Sequence, residues 1–208
     1  VVAEALCGVN ITISPNSDKI INIFDIEPEV VRDEITGKEK LVVNVESKVE
    51  DVTQALLTMA RGSTRSTEVS ELTKQIIAEA VSEEYMAIGI TNDASSLYEE
   101  EFTTDENGQN VTRKRKLLPT IGSWYERLLH KANENTNETY AFHYSYLTKV
   151  MRQYVRKYDG QMAYFDGQST FDLLDGTLFI NIDISQLEEK FARPLAQQVL
   201  LSWVWEKY

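Results

Sequence analysis

Four aspartates cluster late in the chain, and paired carboxylates are the groups that acid–base catalysis or a magnesium ion would use. They are Asp166, Asp172, Asp175 and Asp183. Asp166 and Asp175 are each followed by glycine, and Asp-Gly is a typical turn dipeptide. We therefore favour turn formation as the role of these aspartates. The competing interpretation is that the protein is a small hydrolase that uses them in catalysis. Asp183 is the strongest candidate for the hydrolase, because it lies on the polar side of the alternating segment 178–184.

The sequence contains neither of the common phosphate-binding motifs. Gly37-Lys38 is its one Gly-Lys pair, and Glu39 follows where G-x-x-x-x-G-K-[ST] needs Ser or Thr. No G-x-G-x-x-G is present either. Nothing in these 208 residues is thus expected to cradle a nucleotide.

Metal-ligating residues are few and scattered. His130 and His143 are the only histidines, and Cys7 is the only cysteine. No cluster with ligand spacing results, and an internal disulfide is impossible. We predict no catalytic, cofactor-binding or metal residue in this chain, and the cysteine count fits a reducing compartment such as the cytoplasm.

The other candidate site is one basic run in an acidic chain. The chain carries 33 Asp and Glu against 21 Lys and Arg, a net charge of -12, which disfavours general binding to phosphates. Four cations stand together as Arg113, Lys114, Arg115 and Lys116. They are the candidate contact for nucleic acid or a protein partner, although such a run is often only a solvated face. Asn107-Gly108 predicts a tight hairpin turn that brings this run opposite the acidic residues 99–101.

Apolar periodicity predicts short strands at both ends of the chain and four helices between them. Strands are expected at 9–13, 20–26, 40–45 and 178–184. Two helices are expected in the first half, one from a capping box at Ser47 to Gly62 and one from about Ser66 to Ile88, with Gly89 as its cap. Two more are expected from Pro119 to about 129 and from Glu138 to Tyr158. A last helix is expected to begin at Arg193-Pro194. The longest apolar run is far below the ~20 residues that a membrane span needs.

This order predicts a mainly α protein with some β, in which an all-α helical bundle is inserted in an incomplete α/β sheet. We divide it into a partial α/β segment with a hairpin (1–46), an all-α insertion with a hairpin near 100–116 (47–160), and a returning strand and helix (161–208). The incomplete sheet predicts that Trp203 and Trp205 are partly uncovered and that the isolated chain self-associates.

Several segments, taken in order, resemble the ATPases of type IV secretion and conjugation. They are "ISPNSDKIINIFDI", "AVSEEYMAIGIT" with "SSLYE", "LLPTIGSWYERL", and residues 165–208 with "FDGQS", "IDISQL", "PLA" and "WVWE". The set is most similar to the Gram-positive conjugative-element branch of that family.

The resemblance implies a RecA-like sheet with a helical insertion in a homo-hexameric motor that uses ATP and Mg. It also implies a cytoplasmic protein, peripheral at the inner face of the cell membrane, that meets channel proteins and nucleic acid. On this alignment both nucleotide motifs lie outside the chain, so no catalytic residue is carried over. The chain is then a fragment that serves subunit or partner contacts. The alternative to this reading is a free-standing acidic, non-enzymatic protein-binding module.

Overall fold

The computed structural model describes most of the chain, in six stretches. These are residues 9–14, 17–33, 37–62, 70–105, 108–170 and 180–207, with the backbone alone for 101–105, 108–111, 206 and 207. Two of the four clustered aspartates, Asp172 and Asp175, therefore lie outside the described residues, as do Cys7 and Asn107.

Helices make up most of the described stretches. They are α1 (Val45–Gly62), α2 (Glu71–Ala87), α3 (Ile121–Glu134), α4 (Glu138–Met151) and α5 (Ala192–Lys207), with 3₁₀ turns at Ala94–Leu97, Arg152–Tyr154 and Arg156–Tyr158. None of the helices within the described stretches is long and apolar enough to cross a bilayer.

Within the described residues, three two-stranded sheets accompany the helices. They are the parallel pair β1 (Val9–Thr12) and β6 (Ile180–Asp183), the hairpin β2 (Glu29–Arg32) and β3 (Glu39–Val42), and the hairpin β4 (Tyr98–Asp105) and β5 (Gly108–Arg115). The fold is mainly α with some β, as the sequence predicts. β1 and β6 pair in parallel although most of the chain separates them. The residues between the two strands, including α1 to α4, therefore form one long insertion, which we call the excursion.

The core lies among α1, α2, α3 and α4, where the apolar faces predicted from helical spacing meet. Leu56, Ile77, Trp124 and Leu147, one from each helix, are all fully buried. Gly89 ends α2 with a φ of +70°, as its predicted left-handed cap requires.

One predicted helix start is wrong by a few residues, and another falls outside the described residues. α1 begins at Val45 because Asn44 caps it, with its Oδ1 accepting from the Ser47 N–H at 3.1 Å. Ser47 is thus inside the helix and is not the cap. α2 begins at Glu71, where the Ser70 hydroxyl accepts from the Thr73 N–H. The predicted start at Ser66 falls outside the described residues.

The prediction of one helix from Glu138 to Tyr158 is also wrong, because α4 ends at Met151. Val155 is extended, with φ −105° and ψ 119°, and separates the two 3₁₀ turns that follow. The next N–H, on Arg156, donates at 2.7 Å to the Asp166 carboxylate instead of to the helix. A buried carboxylate from a distant segment therefore competes with the i–4 carbonyl and breaks the helix.

The segment 20–26 is not a strand, contrary to the sequence prediction. It is a buried irregular stretch whose polar groups are satisfied by side chains from elsewhere. The Asn22 side chain donates to the Pro119 carbonyl at 2.8 Å and accepts from the Phe24 N–H at 3.1 Å. Such self-bonding by Asn favours a turn over a ladder of strand hydrogen bonds.

α5 begins at Ala192, before the predicted Arg193-Pro194. Pro194 then occupies the third helical position, where its missing N–H still costs no intrahelical bond. Trp203 is buried, with 2% of its surface exposed, which contradicts the expectation that it is uncovered. Trp205 is 81% exposed, as expected.

Candidate partner-binding surface

Arg113 and Lys114 lie on β5 and point into solvent. The hairpin register places Arg113 opposite Glu100 and Lys114 opposite Glu99. Cross-strand charge pairs of this kind contribute roughly 0.2–1 kcal/mol. Neither cation forms an ion pair within 4 Å with a described residue, so both remain available to a partner.

Arg115 is committed to the chain's own fold. Its Nη1 is 2.7 Å from Glu27 Oε2, and its Nη2 donates to the Ile26 carbonyl at 2.6 Å. Burial opposes the charged form, but the hydrogen bond and charge of Glu27 outweigh it and raise the pKa of Arg115. This contact fixes the base of the β4–β5 hairpin to the segment that follows 20–26.

Lys116 is likewise used internally. Its Nζ donates to the Ile88 carbonyl at 2.8 Å, just after α2 ends. A lysine that caps the last carbonyls of a helix also opposes the negative end of the helix dipole. The structure thus separates the basic run into two structural residues, Arg115 and Lys116, and two exposed ones, Arg113 and Lys114.

A groove runs beside Glu27, between α1 and α5. Its inner part is a cavity of about 140 Å³ with an apolar wall formed by Ile23, Val52, Ala55, Val199 and Trp203. Its outer part is a wider cavity of about 810 Å³ lined by residues that include Glu27, Glu29, Val30 and Trp205. The two parts share Lys48, Asp51 and Ser202, so they form one continuous groove.

The outer part of the groove exposes apolar surface beside carboxylates. Trp205 is 81% exposed and Val30 is 63% exposed. Glu29 and Asp51 are exposed at the same place, and neither side-chain carboxylate forms an ion pair or hydrogen bond with a described residue. Exposed large apolar groups that adjoin each other are typical of a contact surface.

The described members of the aspartate cluster hold turns. Asp166 is buried and accepts from the Gly122 N–H at 2.6 Å, at the start of α3, and from the Arg156 N–H. Asp183 accepts from the Ser185 N–H at 2.8 Å, and this hydrogen bond lowers the pKa of its carboxyl. Both carboxylates therefore stabilise backbone, and their positions offer no support to the hydrolase interpretation.

The histidines have ordinary surroundings. His130 lies 3.2 Å from Glu134 on the same exposed helix face. His143 Nδ1 lies 2.8 Å from the Thr73 hydroxyl. Among the described residues no group of three His, Cys, Asp or Glu side chains is placed to hold a metal ion.

The segment 166–170 joins the bundle to the N-terminal segment, a role that sequence reasoning missed. Its side chains bind backbone on both sides: Ser169 Oγ accepts from the Asn22 N–H, and the Gln168 amide exchanges two hydrogen bonds with Leu118. Ser169 also donates to Asp25 at 2.5 Å, and the same carboxylate oxygen accepts from the Trp203 indole at 3.1 Å. The available signal was Asn22 and Asp25, two polar residues within an otherwise apolar stretch.

Comparison with known proteins finds similarity among solved structures. No protein-family model and no curated protein matches this chain. Among solved structures, it is similar to VirB4 of Thermoanaerobacter pseudethanolicus, with a TM-score of 0.64 and 19% identity over 99% of this chain. The chain has the VirB4 fold. It spans 63% of the length of that VirB4 chain.

The VirB4 likeness takes in the flanking elements as well as the bundle. Because it covers 99% of this chain, the parallel pair β1–β6 and the helix α5 belong to the shared fold along with α1 to α4. The architecture of a helical excursion from a parallel pair is therefore common to the two proteins.

Proposed function

We propose that this chain is part of a type IV secretion motor ATPase, of the kind that energises conjugative transfer of DNA or secretion of protein. The observation that carries the proposal is the VirB4 fold over 99% of the chain. The ordered segments "SPNS", "LLPT", "FDGQS" and "WVWE" support it independently, because they resemble segments of this family in the same order.

Within that motor, these residues serve contacts and not catalysis. The sequence contains no phosphate-binding loop, and the described carboxylates of the aspartate cluster hold turns. ATP and Mg are bound by parts of the motor outside these 208 residues. The partners are neighbouring subunits of a homo-hexamer, channel proteins and the transferred nucleic acid, at the cytoplasmic face of the membrane in a Gram-positive conjugative element.

A transfer assay tests this function. Deleting the encoding gene from a donor strain is expected to reduce transfer of the element to background, and the wild-type gene in trans is expected to restore it. Transfer that continues unchanged without the gene would contradict the proposal.

The second candidate is a free-standing acidic, non-enzymatic protein-binding module. The exposed pair Arg113 and Lys114 favours it, since these cations face solvent and no described residue forms an ion pair with them. A protein retained by the wild-type chain in a pull-down, and lost from Arg113→Ser/Lys114→Ser, combined with normal transfer in the deletion strain, would favour this candidate over the motor.

A further inference from the structure

The groove between α1 and α5 already binds a cation from the chain itself. Arg115 enters beside it and places two guanidinium nitrogens on Glu27 and on the Ile26 carbonyl. Beyond that contact, Glu29 and Asp51 add two exposed carboxylates that no described residue pairs with. Lys48, which lines both parts of the groove, is only 5% exposed, so the exposed charges beyond the Arg115 contact are these two carboxylates and suit an occupant that carries cations.

The groove also exposes apolar surface that an apolar side chain of the occupant would cover. Trp205 and Val30 are exposed along its outer part, and its inner cavity has an apolar wall that includes Trp203 and Val199. A matching ligand would combine two cations with a nearby apolar side chain, so that charge and apolar surface are covered together.

The chain presents such a ligand on its own surface. Arg113 and Lys114 are exposed on β5, and Leu117, just beyond the strand, is 74% exposed. We propose that the groove receives the Arg113, Lys114 and Leu117 segment of a second copy of this chain. Because successive side chains of a strand alternate, Arg113 projects from the same face of β5 as Arg115. In the contact Arg113 meets Glu29 and Asp51, Lys114 adds positive charge at the rim of the groove, and Leu117 covers the apolar surface beside Trp205.

The geometry favours a reciprocal contact. The Arg115–Glu27 ion pair holds the basic segment next to the groove within each copy. Two neighbouring complementary patches can be exchanged across a two-fold axis, where each copy gives its segment and receives the other's. This inference goes beyond the proposed function and does not depend on it.

Charge reversal followed by sedimentation equilibrium tests the contact. The wild-type chain is expected to dimerise reversibly, and more weakly at high salt because exposed charges are screened. Arg113→Glu/Lys114→Glu and, separately, Glu29→Lys/Asp51→Lys should each raise the dimer dissociation constant by roughly tenfold or more. Trp205→Ser should weaken the dimer without changing its salt dependence.

Mixing the two charge-reversed proteins is the decisive measurement. Each acidic segment then faces a basic groove and each basic segment faces an acidic one, so the mixture should dimerise although neither protein does so alone. This recovery also shows that both variants are folded. Lys149→Glu/Lys190→Glu is the matched control, since it changes the charge equally at two other exposed lysines.

The inference would be overturned by a wild-type chain that stays monomeric at high concentration, by a dimer that both reversals leave intact, or by a mixture that fails to recover. A control variant that weakens the dimer as much as Arg113→Glu/Lys114→Glu would also overturn it, because net charge alone would then explain the effect. None of these results bears on the transfer assay, so the two proposals can fail separately.

Discussion

Asp25 joins three distant parts of the chain through one carboxylate oxygen. That oxygen accepts from the Ser169 hydroxyl at 2.5 Å and from the Trp203 indole N–H at 3.1 Å. Hydrogen bonds to a charged group contribute about 1.5–3 kcal/mol, and losing the acceptor leaves a buried donor unsatisfied. At the residue scale, this carboxylate is the strongest single link between α5, the segment 166–170 and the segment 20–26.

Asp25→Ala is therefore expected to lower the free energy of unfolding by about 2–4 kcal/mol. Urea denaturation followed by circular dichroism measures it. Asp18→Ala is the control, since Asp18 is exposed and should change stability by less than about 0.5 kcal/mol. Equal effects of the two substitutions would show that the Asp25 network does not hold the fold.

Gly167 is required by both its backbone and its surroundings. Its φ is +150°, and a Cβ built there would lie 2.9 Å from Ile20 Cδ1. Gly167→Ala is expected to destabilise the chain by about 1–3 kcal/mol in urea denaturation.

Ile20→Val distinguishes the two causes, because it removes the Cδ1 methyl that the new Cβ would meet. If close contact contributes, the cost of Gly167→Ala should be smaller in the Ile20→Val background than in the wild type. An unchanged cost would assign the whole effect to the backbone conformation. No cost in either background would contradict the described geometry.

At the element scale, the cap of α1 gives a direct comparison. Asn44 Oδ1 accepts from the Ser47 N–H, whereas Ser47 lies in the first turn of the helix. Asn44→Ala should cost about 1 kcal/mol of stability, and Ser47→Ala should cost clearly less. Thermal unfolding of the two single variants measures this difference, and the reverse order would place the cap at Ser47.

Glu188 anchors the start of α5 in a pH-dependent manner. Its carboxylate accepts from the Lys190 and Phe191 N–H groups at 2.9 and 2.8 Å, and these hydrogen bonds lower the pKa of Glu188. A carboxyl whose pKa is lower in the folded state stabilises the fold fully above its ordinary pKa of about 4.3. That contribution is lost as the pH falls through the folded-state pKa.

Glu188→Gln should therefore be less stable than the wild type at neutral pH, and the difference should vanish in acid. Urea midpoints measured from pH 7 down to pH 3 test it. A difference that stays constant with pH would show that the carboxylate charge has no part in the cap.

The helices could be predicted because their apolar spacing is local, but the end of α4 depends on a side chain from another segment. α4 stops at Met151 because Asp166 takes the Arg156 N–H. The basic run shows the same limit: Arg115 and Lys116 bind groups 88 and 28 residues away in sequence. Periodicity within one segment carries no information about such contacts. The sequence identifies the basic run, but it does not show which of its four cations remain exposed.

At the scale of the whole molecule, the parallel pair β1–β6 closes the long excursion that contains the bundle. The segment 166–170 then fastens the bundle to the N-terminal segment, with Thr170 and Ile20 exchanging two hydrogen bonds. Trp203 is buried because α5 packs against α1, where the indole lies beside Ile23, Val52 and Ala55 and donates to Asp25. The domain boundaries at residues 46 and 160 and the contact role of Arg113 and Lys114 stay predictions.

The central claim is that these residues belong to a secretion motor whose nucleotide is bound elsewhere in the motor. Isothermal titration calorimetry with Mg-ATP tests it most directly, on the 208-residue chain and on the complete product of its gene. We expect no binding heat for the 208-residue chain. The complete gene product is expected to bind Mg-ATP and to hydrolyse it. Micromolar binding to the 208 residues alone, or no binding by either protein, would contradict it.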